Sequence, residues 1–177
     1  MIYKLPLILL LFVGQVALAG NEASYSLPKL RTEYLQASKS KDAAERFNKK
    51  MGDYGERDPV VLAYKAASEA VMAKYVWNPY SKLKQIRTAA AIFEEAVKLD
   101  HDHPEIRFLR FTVEHYVPRY LNLSQHIEED KRVMISSLKA HPDSGISTEL
   151  ARTMRDFLLT KDHCTEAEKK EIRNIKI

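Results

Sequence analysis

Three groups of side chains in this sequence carry enough chemistry to form a site. The first is Arg107, Arg110 and Glu114, spaced three and four residues apart. On a helix that spacing puts all three on one face. Guanidinium forks held on a rigid face suit a carboxylate or phosphate, which they bind bidentately. Arg110 and Glu114 can also pair along the helix. Lys65 and Glu69 repeat the pattern at a spacing of four. The same spacing also fits a solvated edge, or salt bridges tying neighbouring helices together. The second group is His101-Asp102-His103. Alternate residues of a turn can reach one ion, and these types suit zinc. A catalytic zinc needs a further ligand and a second shell. His115, His126, Glu128 and Asp130 are possible donors, but no recognised spacing links them and there is no His-Glu-x-x-His. The third is Cys164, the only cysteine, preceded by Asp162 and His163. A histidine can activate a thiol, yet nothing else in the sequence completes a nucleophilic site, and a plain thiol in a terminal loop is the expected role. No Gly-x-Ser-x-Gly and no phosphate-cradling glycine loop occurs. No catalytic residue, metal or cofactor is therefore assigned.

The elements that must position these groups are helices. Five glycines in the whole chain are too few for the tight turns of a β-rich protein, and apolar residues recur at helical spacing. A first helix is predicted over 28–39. A second is capped by Ser40, carries Ala43, Phe47 and Met51, and ends at Gly52 and Gly55. Asp58-Pro59 opens a third, an N-cap followed by the residue that loses nothing at the first helical position. Running to about Val76, it is apolar around most of its girth and so should be central. Asn78-Pro79 opens a fourth, with Leu83, Ile86, Ala90, Phe93 and Val97 as its stripe. Pro104 starts a fifth that Pro118 stops; it carries Ile106, Leu109, Val113 and Tyr116 beside the arginines, with Phe108 and Phe111 flanking them. A sixth is predicted over 122–140, and a seventh carries Ile146, Leu150, Met154 and Phe157. Thr165 with Glu168 forms the capping box of an eighth. Tyr75, Trp77 and Tyr80 cluster at a helix end, where they offer an aromatic ligand patch or, the commoner use of aromatics, seal a helix junction. The fold class is all-α: antiparallel helix pairs in a solenoid or compact array of about seven or eight helices.

The segment Ala89-Ala90-Ala91-Ile92-Phe93-Glu94-Glu95-Ala96-Val97-Lys98-Leu99-Asp100 resembles the second helix of a tetratricopeptide repeat. Ala89, Phe93 and Ala96 fall where that family places its small, aromatic and small residues. Leu138-Lys139-Ala140-His141-Pro142-Asp143 echoes the turn that follows. The resemblance covers 59–145 loosely, and it departs from the family at the turn proline, where His101 stands. It implies that helices three and five line a groove and present Lys65, Glu69, Arg107, Arg110 and Glu114 to a bound peptide or protein. Trp77-Asn78-Pro79-Tyr80 and Glu105-Ile106-Arg107-Phe108-Leu109-Arg110 also resemble strings of a family of small exported bacterial proteins, which implies export and a helical fold but no activity.

The N-terminus reads as a secretory signal. Lys4 gives a positive start, Leu5 to Val13 is an apolar run broken only by Pro6, and Ala17-Leu18-Ala19 offers small residues for cleavage after Ala19. The run falls short of the ~20 apolar residues of a membrane span, and no later segment reaches that length. Residues 20–177 are then a single exported domain, periplasmic or secreted. Without Lys4 the 28 basic residues fall by one against 24 acidic, and the signs are interspersed. There is no basic run with interleaved aromatics, so nucleic acid is not an expected partner. The expected function is non-catalytic: an exported binding or scaffold protein recognising a peptide or protein partner through a helical groove. The alternatives are a small metal-dependent hydrolase using the 101–103 turn and a structural component of the envelope. The sequence sets no oligomeric state.

Overall fold

A computed structural model describes residues 24–177. The expected signal segment and its expected cleavage site lie outside the described residues. Within them the fold is all-helical, with eight α-helices and no strand. They are α1 (Leu27–Ala37), α2 (Lys41–Gly52), α3 (Pro59–Met72), α4 (Pro79–Leu99), α5 (Pro104–Glu114), α6 (Ile127–Lys139), α7 (Thr148–Leu159) and α8 (Glu166–Arg173). A 3-10 turn, Arg119–Leu121, separates α5 from α6.

Local chemistry starts these helices where the sequence places the signals. The Asp58 carboxylate accepts from the backbone N–H groups of Val60 and Val61, both at 2.9 Å. The Asn78 amide oxygen does the same for Tyr80 and Ser81. Pro59, Pro79 and Pro104 each occupy a first helical position, where the missing N–H has no intrahelical partner to lose. Thr165 and Glu168 form the reciprocal capping box. Four boundaries differ from expectation. The fifth helix ends at Glu114, short of Tyr116, and the seventh begins at Thr148, after Ile146. The third helix ends at Met72 rather than Val76. The sixth begins at Ile127 rather than near Asn122, because the chain leaving Pro118 turns through the 3-10 segment and Asn122 takes a left-handed backbone (φ 55°) that cannot sit inside a right-handed helix.

Each helix packs on the next along the chain, and α3 also touches both α1 and α5. Helix α3 is enclosed, with Val60 to Tyr64, Ala66 to Ser68, Ala70 and Val71 all buried. The buried face of α4 is Ala89, Phe93, Ala96 and Val97. Leu83, Ile86 and Ala90, expected on that face, are only half-buried. The small residues Ala89 and Ala96 bring the backbones close, and the Phe93 ring fills the space between them.

The apolar interior falls into two clusters that meet at α5. The first joins α1 to α4 and takes Ile106 and Leu109 from α5. The second joins α6, α7 and α8 around Phe111. A helix of 11 residues thus feeds both cores from opposite sides. Its third face lies between them and carries Arg107, Arg110 and Glu114.

Candidate functional site

That third face is closed to solvent. Arg107 is 0 % exposed, Arg110 2 % and Glu114 7 %. The expectation of an open, ligand-facing stripe is therefore corrected: its occupant is the first turn of α6. The Asp130 carboxylate is fully buried and receives both arginines. Arg110 grips it as a fork, Nε to Oδ2 at 2.8 Å and Nη2 to Oδ1 at 2.7 Å. Arg107 adds Nη1 to Oδ1 at 2.9 Å and Nη1 to Glu129 Oε1 at 2.8 Å, while its Nε donates to the His101 carbonyl at 2.7 Å. Arg110 Nη1 reaches back to Glu94 of α4 at 3.1 Å. Glu114 accepts from the backbone N–H of His126 at 2.9 Å and stands 2.7 Å from its Nδ1.

The electrostatics follow from this geometry. Burial alone would lower the Arg110 pKa, but the hydrogen bonds and charge of Asp130 outweigh it and hold the guanidinium more firmly protonated than usual. Burial would raise the Glu129 carboxyl; the hydrogen bond from Arg107 and the charges of both arginines pull it below its ordinary value instead. Arg107 Nη2 is buried without a hydrogen-bond partner among the described residues. This node acts as a clamp on α4, α5 and α6, and its arginines and Asp130 offer no exposed surface to a ligand.

Lys65 and Glu69 are half-buried and look elsewhere. Lys65 Nζ donates to the Tyr54 carbonyl at 2.8 Å, and Glu69 accepts from the Asn48 amide at 3.0 Å. They engage α2 and the loop after it, so the five expected binding residues do not form one surface. Sequence reasoning missed a second buried ion pair on α5. Glu105, 1 % exposed, is held by Arg31 through two bonds of 2.7 Å and by the Tyr64 hydroxyl at 2.8 Å. The hydrogen bond to Glu105 raises the Arg31 pKa. A carboxylate in a helix's first turn is so ordinary that no local signal marks this one as buried.

The 101–103 turn is committed to structure as well. His103 Nδ1 accepts from the Glu105 N–H, capping α5, and His101 Nδ1 lies 2.8 Å from Asp102. Among the described residues no three His, Cys, Asp or Glu side chains are placed to share a metal ion. Cys164 is buried, and burial pushes its thiol up to about 11, well above a reactive cysteine. His163 turns its Nδ1 to the Phe157 carbonyl at 2.8 Å.

What the fold does leave open is the outer face of α4. Trp77 is 97 % exposed and Tyr80 78 %, so neither seals a junction. Only Tyr75 of that cluster does so, donating from its hydroxyl to the Ala37 carbonyl. A shallow depression of about 320 Å³ runs along the helix between Tyr80, Leu83, Lys84, Arg87, Thr88 and Ala91. From Ala70 to Phe93 the chain has no carboxylate, while it has Lys74, Lys82, Lys84 and Arg87. Lys74 donates to the Ser38 carbonyl; Lys82, Lys84 and Arg87 form no ion pair among the described residues. The surface is therefore aromatic and cationic, with an apolar floor. No helix of the described residues is long and apolar enough to cross a membrane. Compared with protein-family models, curated proteins and solved structures, the chain gives no match.

Proposed function

We propose that this is an exported, non-catalytic binding or scaffold protein that recognises a peptide or protein partner, and that the partner docks on the outer face of α4. The single observation that carries the reading is the exposed Tyr80 on one face of α4 with the cations Lys84 and Arg87, which form no ion pair among the described residues, and the exposed Trp77 just before the helix starts. Large aromatic side chains left in water are where binding free energy concentrates when a partner covers them. Cations around them select an acidic partner and speed its approach more than they add affinity. The elongated depression along the helix suits a chain segment whose apolar side chains sit on Leu83 and Ala91 while its carboxylates meet Lys84 and Arg87. The stacking of helix pairs, with α3 in contact with both α1 and α5, supports the tetratricopeptide-like reading of the scaffold. The ligand face differs from the one that resemblance implies, since α3 and the arginine stripe of α5 are covered.

A photo-crosslinking residue at Thr88, in protein expressed in its native envelope, tests this. The expected result is a discrete protein adduct that Lys84→Glu/Arg87→Glu abolishes at unchanged helicity. An adduct indifferent to charge reversal overturns the reading. So does a protein that gives no adduct but sediments with anionic phosphatidylglycerol vesicles, which would make the occupant a lipid surface.

A further inference from the structure

A second cluster of titratable groups lies at the other end of the molecule, away from the α4 face. His115, just past the end of α5, and His163, in the loop between α7 and α8, meet with ring centroids 4.2 Å apart and planes at 87°. His163 is 3 % exposed. Phe157 stacks on it at 4.2 Å, Phe111 meets it edge-on at 6.0 Å and Tyr116 at 6.5 Å. A carbonyl can only accept, so the His163 Nδ1 facing the Phe157 carbonyl carries the proton. Its Nε2 is then the bare nitrogen of a neutral ring, and it is buried with no hydrogen-bond partner among the described residues. Neutral, this ring fits a nest of aromatic faces at small cost. Protonated, it would hold a charged N–H with no acceptor, an arrangement a fold does not sustain.

We infer that the His115–His163 contact is an acid-sensitive latch whose protonation releases the segment 160–177, with α8, from α5 and α7. The other groups around the pair shape the response without removing it. From the loop, Asp162 lies 3.5 Å from His115 Nε2 but is 88 % exposed, so water screens its attraction for an imidazolium. Lys161, whose Nζ donates to the Tyr116 hydroxyl at 3.2 Å, adds positive charge. The Thr160 hydroxyl sits 3.3 Å from His163 Nδ1. From α8, Lys169 donates to the Lys161 carbonyl at 2.8 Å, a second cation at the loop. Burial, then the neighbouring His163, holds His115 below the usual histidine range, in keeping with a pair that folds neutral.

Besides this contact, the segment is held by Cys164, Ile172, Ile175 and Ile177 at the edge of the second core cluster. Helix α8 has eight residues and buries Ile172 alone among them. Its ion pairs Lys131–Glu168 and Lys139–Glu171 stay charged through the histidine range. A short terminal helix of this kind opens below the global unfolding free energy. Its opening would uncover Cys164, the only cysteine, which is 7 % exposed when the segment is docked.

That thiol is the reporter. Full-length protein is reacted with 4,4′-dithiodipyridine between pH 7.5 and 4.5. Each rate is divided by that of the same protein in denaturant, which cancels the intrinsic pH dependence of the reaction. Protection of Cys164 is expected to fall on the order of tenfold between pH 7 and 5, because the open segment takes up a proton that the docked one excludes. Far-UV circular dichroism should change by no more than the contribution of α8. His163→Phe, which keeps the stacking, should hold protection level across the range. Should that variant fail to fold, His163→Leu removes the titrating ring while keeping an apolar side chain in the aromatic nest, and it should also flatten the curve. Wild-type protection unchanged down to pH 5 overturns the latch whatever the variants do. A loss of equal size and midpoint in the folded variants also overturns it, by assigning the acid response to carboxylates.

Discussion

Replacing Asp130 by asparagine isolates what the buried node contributes. The side chains are nearly the same size, so packing is preserved, but the charge facing Arg107 and Arg110 is lost. Both guanidinium groups are at most 2 % exposed and cannot turn to water. Removing one partner of a buried ion pair costs about 3–5 kcal/mol, because the charge left behind is uncompensated. Here the loss is softened. Glu129 still accepts from Arg107 at 2.8 Å and Glu94 from Arg110 at 3.1 Å, and the asparagine oxygen still accepts one bond. We expect a destabilisation of about 2–4 kcal/mol, a large share of the ~5–15 kcal/mol that holds a domain of this kind together. Urea denaturation followed by circular dichroism measures it. Arg107→Ala with Arg110→Ala, which a solvent-facing ligand stripe would tolerate, should also destabilise strongly. Its effect should differ from the sum of the single changes, since both arginines share one carboxylate. Replacing all three by apolar residues of similar volume should recover much of the loss. A cost below about 0.5 kcal/mol for Asp130→Asn, the range of a surface substitution, would refute the reasoning.

Three further outcomes follow from the same geometry. Trp77→Ala should change stability by no more than about 0.5 kcal/mol, whereas Phe93→Ala, at 1 % exposure, should cost about 3–5 kcal/mol; paired urea melts compare them. Acid should weaken the fold in two stages, read as urea midpoints against pH. His115 has a lowered folded pKa, so its contribution is present above the unfolded histidine value of about 6.5 and is lost as pH falls below it. Glu129 and Glu168 are also lowered, so theirs is present above about pH 4.3 and is lost only as pH falls through the carboxylate range. The second stage should survive in His163→Phe. On the proposed export, the protein should begin at Gly20, which intact-mass measurement of envelope material checks directly; a mass that retains residues 1–19 would contradict the reading of the signal.

The legible part of this fold was the part controlled by neighbours in sequence. Asp58-Pro59, Asn78-Pro79 and Thr165 with Glu168 start helices because cap and N–H lie within three residues. The girth of α3 announced its central place because no single-sided partner could cover it. The arginine stripe was legible as a stripe, but a helical period reports that residues share a face, not what lies against it. The partner, Asp130, is 20 residues away from Arg110 and reads locally as a helix-start acid, as Glu105 does. His103 carries a metal donor's chemistry and spends it on a cap. Trp77 was misjudged for the converse reason. Its apolar area argues for burial, but it stands between the end of α3 and the Asn78 cap of α4, where the chain turns outward.

The two halves of α4 explain why a buried clamp matters to an exposed face. Its buried residues, Ala89, Phe93, Ala96 and Val97, lie at or beyond its midpoint. The same half is tied by Glu94 to Arg110 and by Glu95 to Arg57. The half that carries Tyr80, Lys84 and Arg87 has no fully buried residue, so its orientation is inherited largely from the anchored half and from Asn78 at its start. A partner docking there meets a surface already held in place, and the ordering cost that would otherwise reduce affinity is small. Two kinds of substitution should then weaken binding differently. Trp77→Ala removes contact and should act mainly on dissociation. Asp130→Asn touches nothing the partner touches, yet by loosening the tie between α5 and Glu94 it should leave α4 less ordered. Its binding defect should therefore shrink when the helix is restrained by an engineered cross-link, while that of Trp77→Ala should persist.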